Sequence, residues 1–209
     1  MNESQSHAVK IATPNHPIHD LLMHRWSPRS FADRAVEPET IRSLLEAARW
    51  SASSRNLQPW SFIVAPREHP DDFERMIGCL MEGNIPWASK APLLILTIAH
   101  LVIPGRDRTN GHAWHDLGLA VQNLCVQATA LGLYVHQMGG FSSDKARTTF
   151  QIPEGYDPVT VLAVGYLGNP NELPEDRRDS ELAPRERKPL SDFVFAGEWG
   201  QTSSLVDTQ

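Results

Sequence analysis

Three short segments of the chain place hydrogen-bond partners for an anion or an amide on loops. The first is Arg25, Ser27 and Arg29, two guanidinium groups and a hydroxyl at alternate positions. Pro28 biases Ser27 toward extended backbone, on which the three side chains can converge on one anion. The second is Ser51–Trp60, where Ser53, Ser54, Asn56 and Gln58 offer neutral donors and acceptors. The third is Arg185-Glu186-Arg187-Lys188-Pro189, again with two guanidinium groups at alternate positions. Each segment alone also has a plain structural reading: a solvated basic turn, a capping turn and a solvated charge run.

Composition narrows what such groups could serve. The chain has 209 residues, 41% hydrophobic and 21% charged, which fits one globular domain and excludes wholesale disorder. A net charge of -6 argues against a nucleic-acid partner or an anionic membrane surface. Within that acidic total, only Lys10, Lys90, Lys145 and Lys188 are lysines among 19 cationic residues. The remainder are arginines, whose fork suits phosphate and carboxylate better. Cys79 and Cys125 sit in apolar helical patterns and read as reduced, buried thiols. Met1–Pro14 shows no signal-peptide pattern, and the longest apolar run, Ala91–Ala99, falls far below the ~20 residues of a membrane span. These features predict a cytoplasmic protein with no membrane partner.

The elements that must position the three segments follow from periodicity. Residues 1–14 read as a flexible leader. Asn15 is expected to cap a short helix with Ile18, Leu21 and Leu22 on one face, broken by Pro28. A clearer helix starts at Pro38, with Ile41, Leu44, Leu45 and Ala48 as its apolar face. A strand at Ser61–Ala65 and a helix at Asp71–Leu80 follow, the latter ended by Gly83-Asn84. Leu93–Ala99 reads as a buried strand. His112–Leu131 reads as a long helix closed by Gly132. Strands are expected at Leu133–Gln137 and Val159–Tyr166, separated by Met138-Gly139-Gly140-Phe141 and another helix. Asn169–Pro189 is dense in Pro, Glu, Asp and Arg and lacks apolar residues for a core, so it is expected to be disordered or to wrap a surface. Phe193, Val194, Phe195 and Trp199 then form a terminal aromatic cluster. Helices first, with strands interleaved, predicts an α+β fold.

The order of the motifs resembles the nitroreductase family of flavin enzymes. It runs Arg-x-Ser-x-Arg, Ser-Ser-x-Asn-x-Gln-Pro-Trp, Met-Gly-Gly and Arg-x-Arg-Lys-Pro, spanning His24 to Trp199. The resemblance implies a central mixed or antiparallel sheet flanked by helices, and an FMN-binding homodimer with active sites at the subunit interface. Residues 15–168 would form the FMN-binding domain, and 169–209 an extension of it that wraps the partner and reaches the phosphate site. It implies that Arg25 and Ser27, with Trp26 between them, meet the FMN phosphate, and that Arg29 lies against the pyrimidine edge. Ser53, Ser54 and Asn56 would come from the opposite subunit, and Asn84 would bond the flavin edge. Gly139 and Gly140, following Met138, would present N–H groups near flavin N5, while Arg185 and Arg187 close on the phosphate. The family pattern departs at Gly139, where many members carry an acidic residue, and at Trp87, where some carry a lysine.

The implied activity is hydride transfer from NAD(P)H through FMN to a small-molecule acceptor, a nitroaromatic, quinone or relative, in ping-pong fashion. The cofactor carries the electrons, so no nucleophile or acid from the protein is required. Alternatives on the same scaffold are a substrate-specialised dehydrogenase, dehalogenase or flavin-modifying enzyme, and a non-catalytic flavin-binding protein. His112, His115 and Asp116, with His100 nearby, offer a metal reading that lacks any supporting ligand motif, so no metal is expected. Trp87, Trp114 and Phe141 read either as pocket lining or as core, with core favoured. The loop Ile103–Gly111, with Arg106, Asp107 and Arg108, reads as a solvated loop or a mobile element over the flavin.

Overall fold

The computed structural model describes residues 8–103, 105 and 108–206. Its main elements are α1 (Asp20–His24), α2 (Pro38–Arg49), β1 (Trp60–Pro66), α3 (Pro70–Ile77), α4 (Ile85–Ala88) and β2 (Leu93–His100). They continue with α5 (Ala113–Ala130), β3 (Tyr134–Met138), α6 (Ser143–Thr149), β4 (Tyr156–Gly165) and α7 (Glu175–Leu182). The four strands form one sheet in the order β1-β2-β4-β3, and every neighbouring pair is antiparallel. The α+β expectation holds, and the sheet is antiparallel rather than mixed.

The unbroken apolar run becomes β2, an inner strand covered on both faces. Leu93, Ile95 and Ala99 pack in a cluster with Leu44 and Ala48 of α2 and Leu117, Val121 and Leu124 of α5. Leu94, Leu96 and Ile98 face the other side, toward Phe73 and Met76 of α3 and toward Trp87 and Phe141. Each large side chain so buried contributes about 1.5–3 kcal/mol relative to exposure. Between the faces, the buried Thr97 hydroxyl lies 3.0 Å from the Thr160 carbonyl and 2.8 Å from the Thr160 hydroxyl.

Several boundaries differ from the sequence expectation. Helix α1 begins at Asp20, not after Asn15, and its cap is His19, whose Nδ1 accepts from the Leu21 N–H at 3.1 Å. Pro17 disfavours helical backbone at His16, which blocks the earlier start. Ile18 and Leu22 remain exposed. Helix α3 stops at Ile77, and Gly83-Asn84 instead leads into α4. Strand β4 starts at Tyr156, ahead of the expected Val159, because the register shift between Thr97 and Ile98 accommodates Pro158. Gly132 closes α5 as expected, with φ +74°. Trp114 is exposed rather than core, its indole N–H donating to Asp157 Oδ2 at 2.9 Å, whereas Trp87 and Phe141 are buried.

Of the two alternatives for residues 169–189, disorder or packing on a surface, the structure has the second. These residues contain helix α7, which lies on its own chain and buries Glu181 at 1% exposure. An apolar stripe is missing because the packing runs through charged and main-chain groups. Among the described residues, no helix is long and apolar enough to cross a membrane.

Candidate anion and cofactor site

Residues 26–32 run beside the β3–β4 side of the sheet and continue it. The Ala32 N–H donates to the Tyr166 carbonyl at 2.9 Å and the Gly168 N–H to the Ser30 carbonyl at 3.0 Å. Phe31 and Leu167 form an antiparallel bridge. Gly168 is required here, since a Cβ would lie 2.5 Å from the Phe31 carbonyl carbon. Trp26 is buried edge-on against Tyr134, and His136 is 2.9 Å from the Pro28 carbonyl through Nδ1. Burial holds the His136 pKa down at about 4, so the ring is neutral and Nδ1–H is the donor.

This ledge forms one wall of a cavity of about 190 Å³. Arg25, Trp26, Ser27 and Arg29 line it from the N-terminal side. Ser180, Glu181, Arg185 and Arg187 line it from the C-terminal side, and Lys10, from the N-terminal part of the chain, closes it. The two arginine motifs at opposite ends of the chain therefore meet. Five cations surround one carboxylate, a field suited to a dianion. Burial and the neighbouring guanidinium groups of Arg25 and Arg187 lower the Arg185 pKa. The Arg185 Nε and Trp26 Nε1 donors are buried without hydrogen-bond partners.

Each charged group has a defined support. Arg185 Nη1 donates to the Arg25 carbonyl at 2.6 Å, and Nη2 to the Met23 carbonyl. Glu181 accepts from the Arg29 N–H at 2.9 and 3.1 Å and from the Ser30 N–H at 3.0 Å. Burial raises the Glu181 pKa, opposed by these N–H groups and by the Arg29 and Lys10 charges. Lys10 donates to the Ser180 carbonyl at 2.7 Å, and burial lowers its pKa. Arg29 stands 5.9 Å from the Trp87 ring, which in turn packs on His136 at 4.5 Å.

The glycine loop after β3 is held by Asn84. Its Nδ2 donates to the Gly140 carbonyl at 3.0 Å, which also accepts from the Met81 N–H at 3.0 Å. A Cβ on Gly140 would lie 2.6 Å from Asn84 Nδ2 and would displace that amide from its bond to the loop. A Cβ on Gly139 would meet nothing within 4 Å. The Met138 side chain is buried in the core, leaving its main chain to the loop.

Ser53, Ser54 and Asn56 do not line the cationic cavity. Their loop leads into β1, at the sheet edge opposite β3. Buried Asp116, near the start of α5, accepts from the Ser54 N–H at 3.0 Å, and the Ser53 hydroxyl accepts from the Gln58 N–H at 3.0 Å. Positive φ at Arg55, Asn56 and Gln58 folds the loop tightly.

Asp116 thus supports a loop. Its Oδ1 lies 3.2 Å from His115 Nδ1, while His100 stacks on Tyr156 at 4.2 Å. Among the described residues, no cluster of three or more His, Cys, Asp or Glu side chains is arranged to hold a metal. Arg106 and Asp107 lie outside the described residues, as does Pro104; the Val102–Thr109 bridge pairs the arms of that loop. Sequence reasoning missed Lys10 and Glu181, because a buried charge has no local sequence signature.

An α+β fold with an arginine-lined anion cavity and a glycine loop at the end of a strand defines a class of proteins, and comparison gives it a family. The chain belongs to the nitroreductase family, whose model matches residues 22–166. It is similar to an uncharacterized 15.4 kDa protein of Mycolicibacterium smegmatis, at 35% identity over 131 residues covering 62% of this chain and 86% of that protein. It is 27% identical to an FMN reductase (NADPH) of Bacillus subtilis (strain 168), over 74% of this chain and 67% of the relative. A crystal structure described as an oxidoreductase containing FMN superposes with a TM-score of 0.85 at 32% identity, covering 91% of this chain and 96% of that one.

Proposed function

We propose that the chain is an FMN-dependent NAD(P)H oxidoreductase that passes hydride to a nitroaromatic, quinone or related acceptor. The observation that carries this reading is the convergence of Arg25, Arg29, Arg185 and Arg187 on one cavity in a protein of net charge -6. A phosphate monoester carries close to two negative charges at neutral pH, which matches that field. The FMN-containing neighbour and the NADPH-dependent FMN reductase support the same assignment.

When bound, FMN supplies the redox chemistry, accepting hydride from NAD(P)H and delivering it to the acceptor. Arg25, Ser27, Arg185 and Arg187 bind the phosphate. Arg29 would supply fixed positive charge beside the pyrimidine edge of the bound flavin, which favours a reduced, anionic cofactor. Gly139 leaves open space for close approach of a ring, and Asn84 fixes the loop that carries it. Reductant and acceptor would visit one site in alternation, as a ping-pong scheme requires.

The working unit is a homodimer in this reading. The cavity of about 190 Å³ is smaller than the roughly 300–1,000 Å³ of complete small-molecule sites. Ser53, Ser54 and Asn56, at the far sheet edge, are free to complete the site of a second copy. Leu119 on α5 and Phe193 and Trp199 near the C-terminus are exposed apolar groups available to that contact. Residues 15–168 act as the flavin-binding body and 169–209 as its extension. Two buried free thiols, Cys79 and Cys125, accord with a cytoplasmic setting.

The test is steady-state NAD(P)H oxidation by purified, FMN-loaded protein with and without a nitroarene or quinone. Acceptor-dependent turnover is expected, and its absence with every acceptor tried would remove the catalytic reading.

A further inference from the structure

Glu181 presents a paradox. It is a carboxylate, 1% exposed, in the wall of a cavity otherwise suited to an anion. Through charge alone it repels a phosphate, so a neutral side chain there would bind phosphate more tightly. Through geometry it does the opposite. Its oxygens accept from the main-chain N–H groups of Arg29 and Ser30, more than 150 positions away in sequence. The helix that carries it also offers the Ser180 carbonyl to Lys10, and four residues beyond Glu181, Arg185 grips the carbonyls of Met23 and Arg25. The N-terminal and C-terminal walls are therefore clamped at three points, by Ser180, Glu181 and Arg185, with Glu181 the one carboxylate lining the cavity beside five cations.

We propose that Glu181 is a positioning residue that holds the Arg25–Arg29 and Arg185–Arg187 segments together as one phosphate cradle, its clamping outweighing its repulsion of the ligand. This rests on the phosphate reading of the cavity. Two main-chain N–H groups bonded to one buried carboxylate form charge-assisted hydrogen bonds, roughly twice as strong as neutral ones, and the five surrounding cations offset the carboxylate's repulsion of a ligand. Glutamine is nearly isosteric and its one oxygen can still face both main-chain donors, but it removes the charge that strengthens those bonds and sets an N–H₂ group where the second oxygen lies 3.1 Å from the Arg29 nitrogen.

The experiment titrates apoprotein with FMN and with riboflavin, which lacks the phosphate, following flavin fluorescence for wild type and Glu181→Gln. The preference for FMN over riboflavin is expected to fall about tenfold in Glu181→Gln, the scale of one such hydrogen bond. A preference that is unchanged or larger would overturn the proposal. Glu181→Asp gives the same decision if the glutamine variant does not fold. Aspartate keeps the charge but withdraws the oxygens by one methylene, so clamping predicts a reduced preference, and an unchanged preference contradicts it. Wild type with no preference for FMN over riboflavin would instead refute the phosphate reading itself.

Discussion

Arg185 donates from Nη1 to the main-chain carbonyl of Arg25 at 2.6 Å, across 160 positions of sequence. One arginine of the C-terminal motif thus builds the ledge that presents the N-terminal motif. The two roles separate in substitutions. Arg25→Ala should weaken FMN binding by about 1.5–3 kcal/mol while leaving the apoprotein folded, since its loss removes a charged donor to the ligand. Arg185→Met should weaken FMN binding and also lower the stability of the apoprotein, because two main-chain carbonyls lose their partner. Flavin titration and urea unfolding of each apoprotein check both; full flavin retention by Arg25→Ala after dialysis would refute its role.

Adjacent glycines in the loop after β3 should respond oppositely to alanine. Gly140→Ala places a Cβ 2.6 Å from Asn84 Nδ2, displaces that amide from the Gly140 carbonyl and should destabilise the apoprotein by about 0.5–1.5 kcal/mol, the worth of one hydrogen bond. Gly139→Ala meets nothing of the chain itself, so apoprotein stability should change by less than about 0.5 kcal/mol. Its effect should appear only with cofactor, as weaker flavin binding or slower reduction. Paired thermal melts with and without FMN distinguish the two sites.

Asp116 anchors the Ser53–Asn56 loop through the Ser54 N–H at 3.0 Å. Asp116→Ala removes the acceptor and should cost about 1–3 kcal/mol of stability. If the loop completes the site of a second copy, as proposed, flavin affinity should fall as well, although Asp116 does not line the cationic cavity. Urea unfolding and FMN titration measure the two effects separately, and a loss of stability with unchanged affinity would detach the loop from the cofactor.

His136 links stability to pH. Burial depresses its folded-state pKa to about 4, below the unfolded value near 6.5. Protons therefore favour the unfolded chain between these values. The contribution is complete above about pH 6.5 and is lost as pH falls through about 4, roughly 3 kcal/mol in all. His136→Asn, which keeps a donor for the Pro28 carbonyl, should flatten this acid limb. Urea unfolding of the apoprotein across pH 4–8 makes the comparison.

What the sequence exposes depends on how each element packs. Helix α2, strand β2 and helix α5 bury apolar faces or runs, and periodicity finds them directly. The start of β4 hides behind Pro158, which a bulge tolerates, and the start of α1 is displaced by Pro17. Helix α7 escapes because it docks through Glu181, Lys10 and Arg185 rather than through an apolar stripe. The arginine motifs were legible as chemistry, but their meeting is a tertiary fact. The separation of the Ser53–Asn56 loop from that cavity depends on strand order, which no local pattern encodes.

The proposed role of the arginine cavity is to hold the phosphate end of a flavin mononucleotide used in catalysis. The most direct measurement is the visible absorption spectrum of the purified protein, reconstituted with FMN and mixed anaerobically with NADH or NADPH. The expected result is a yellow protein that retains FMN through gel filtration and bleaches on addition of a reduced nicotinamide. A colourless protein that takes up no added FMN would contradict it.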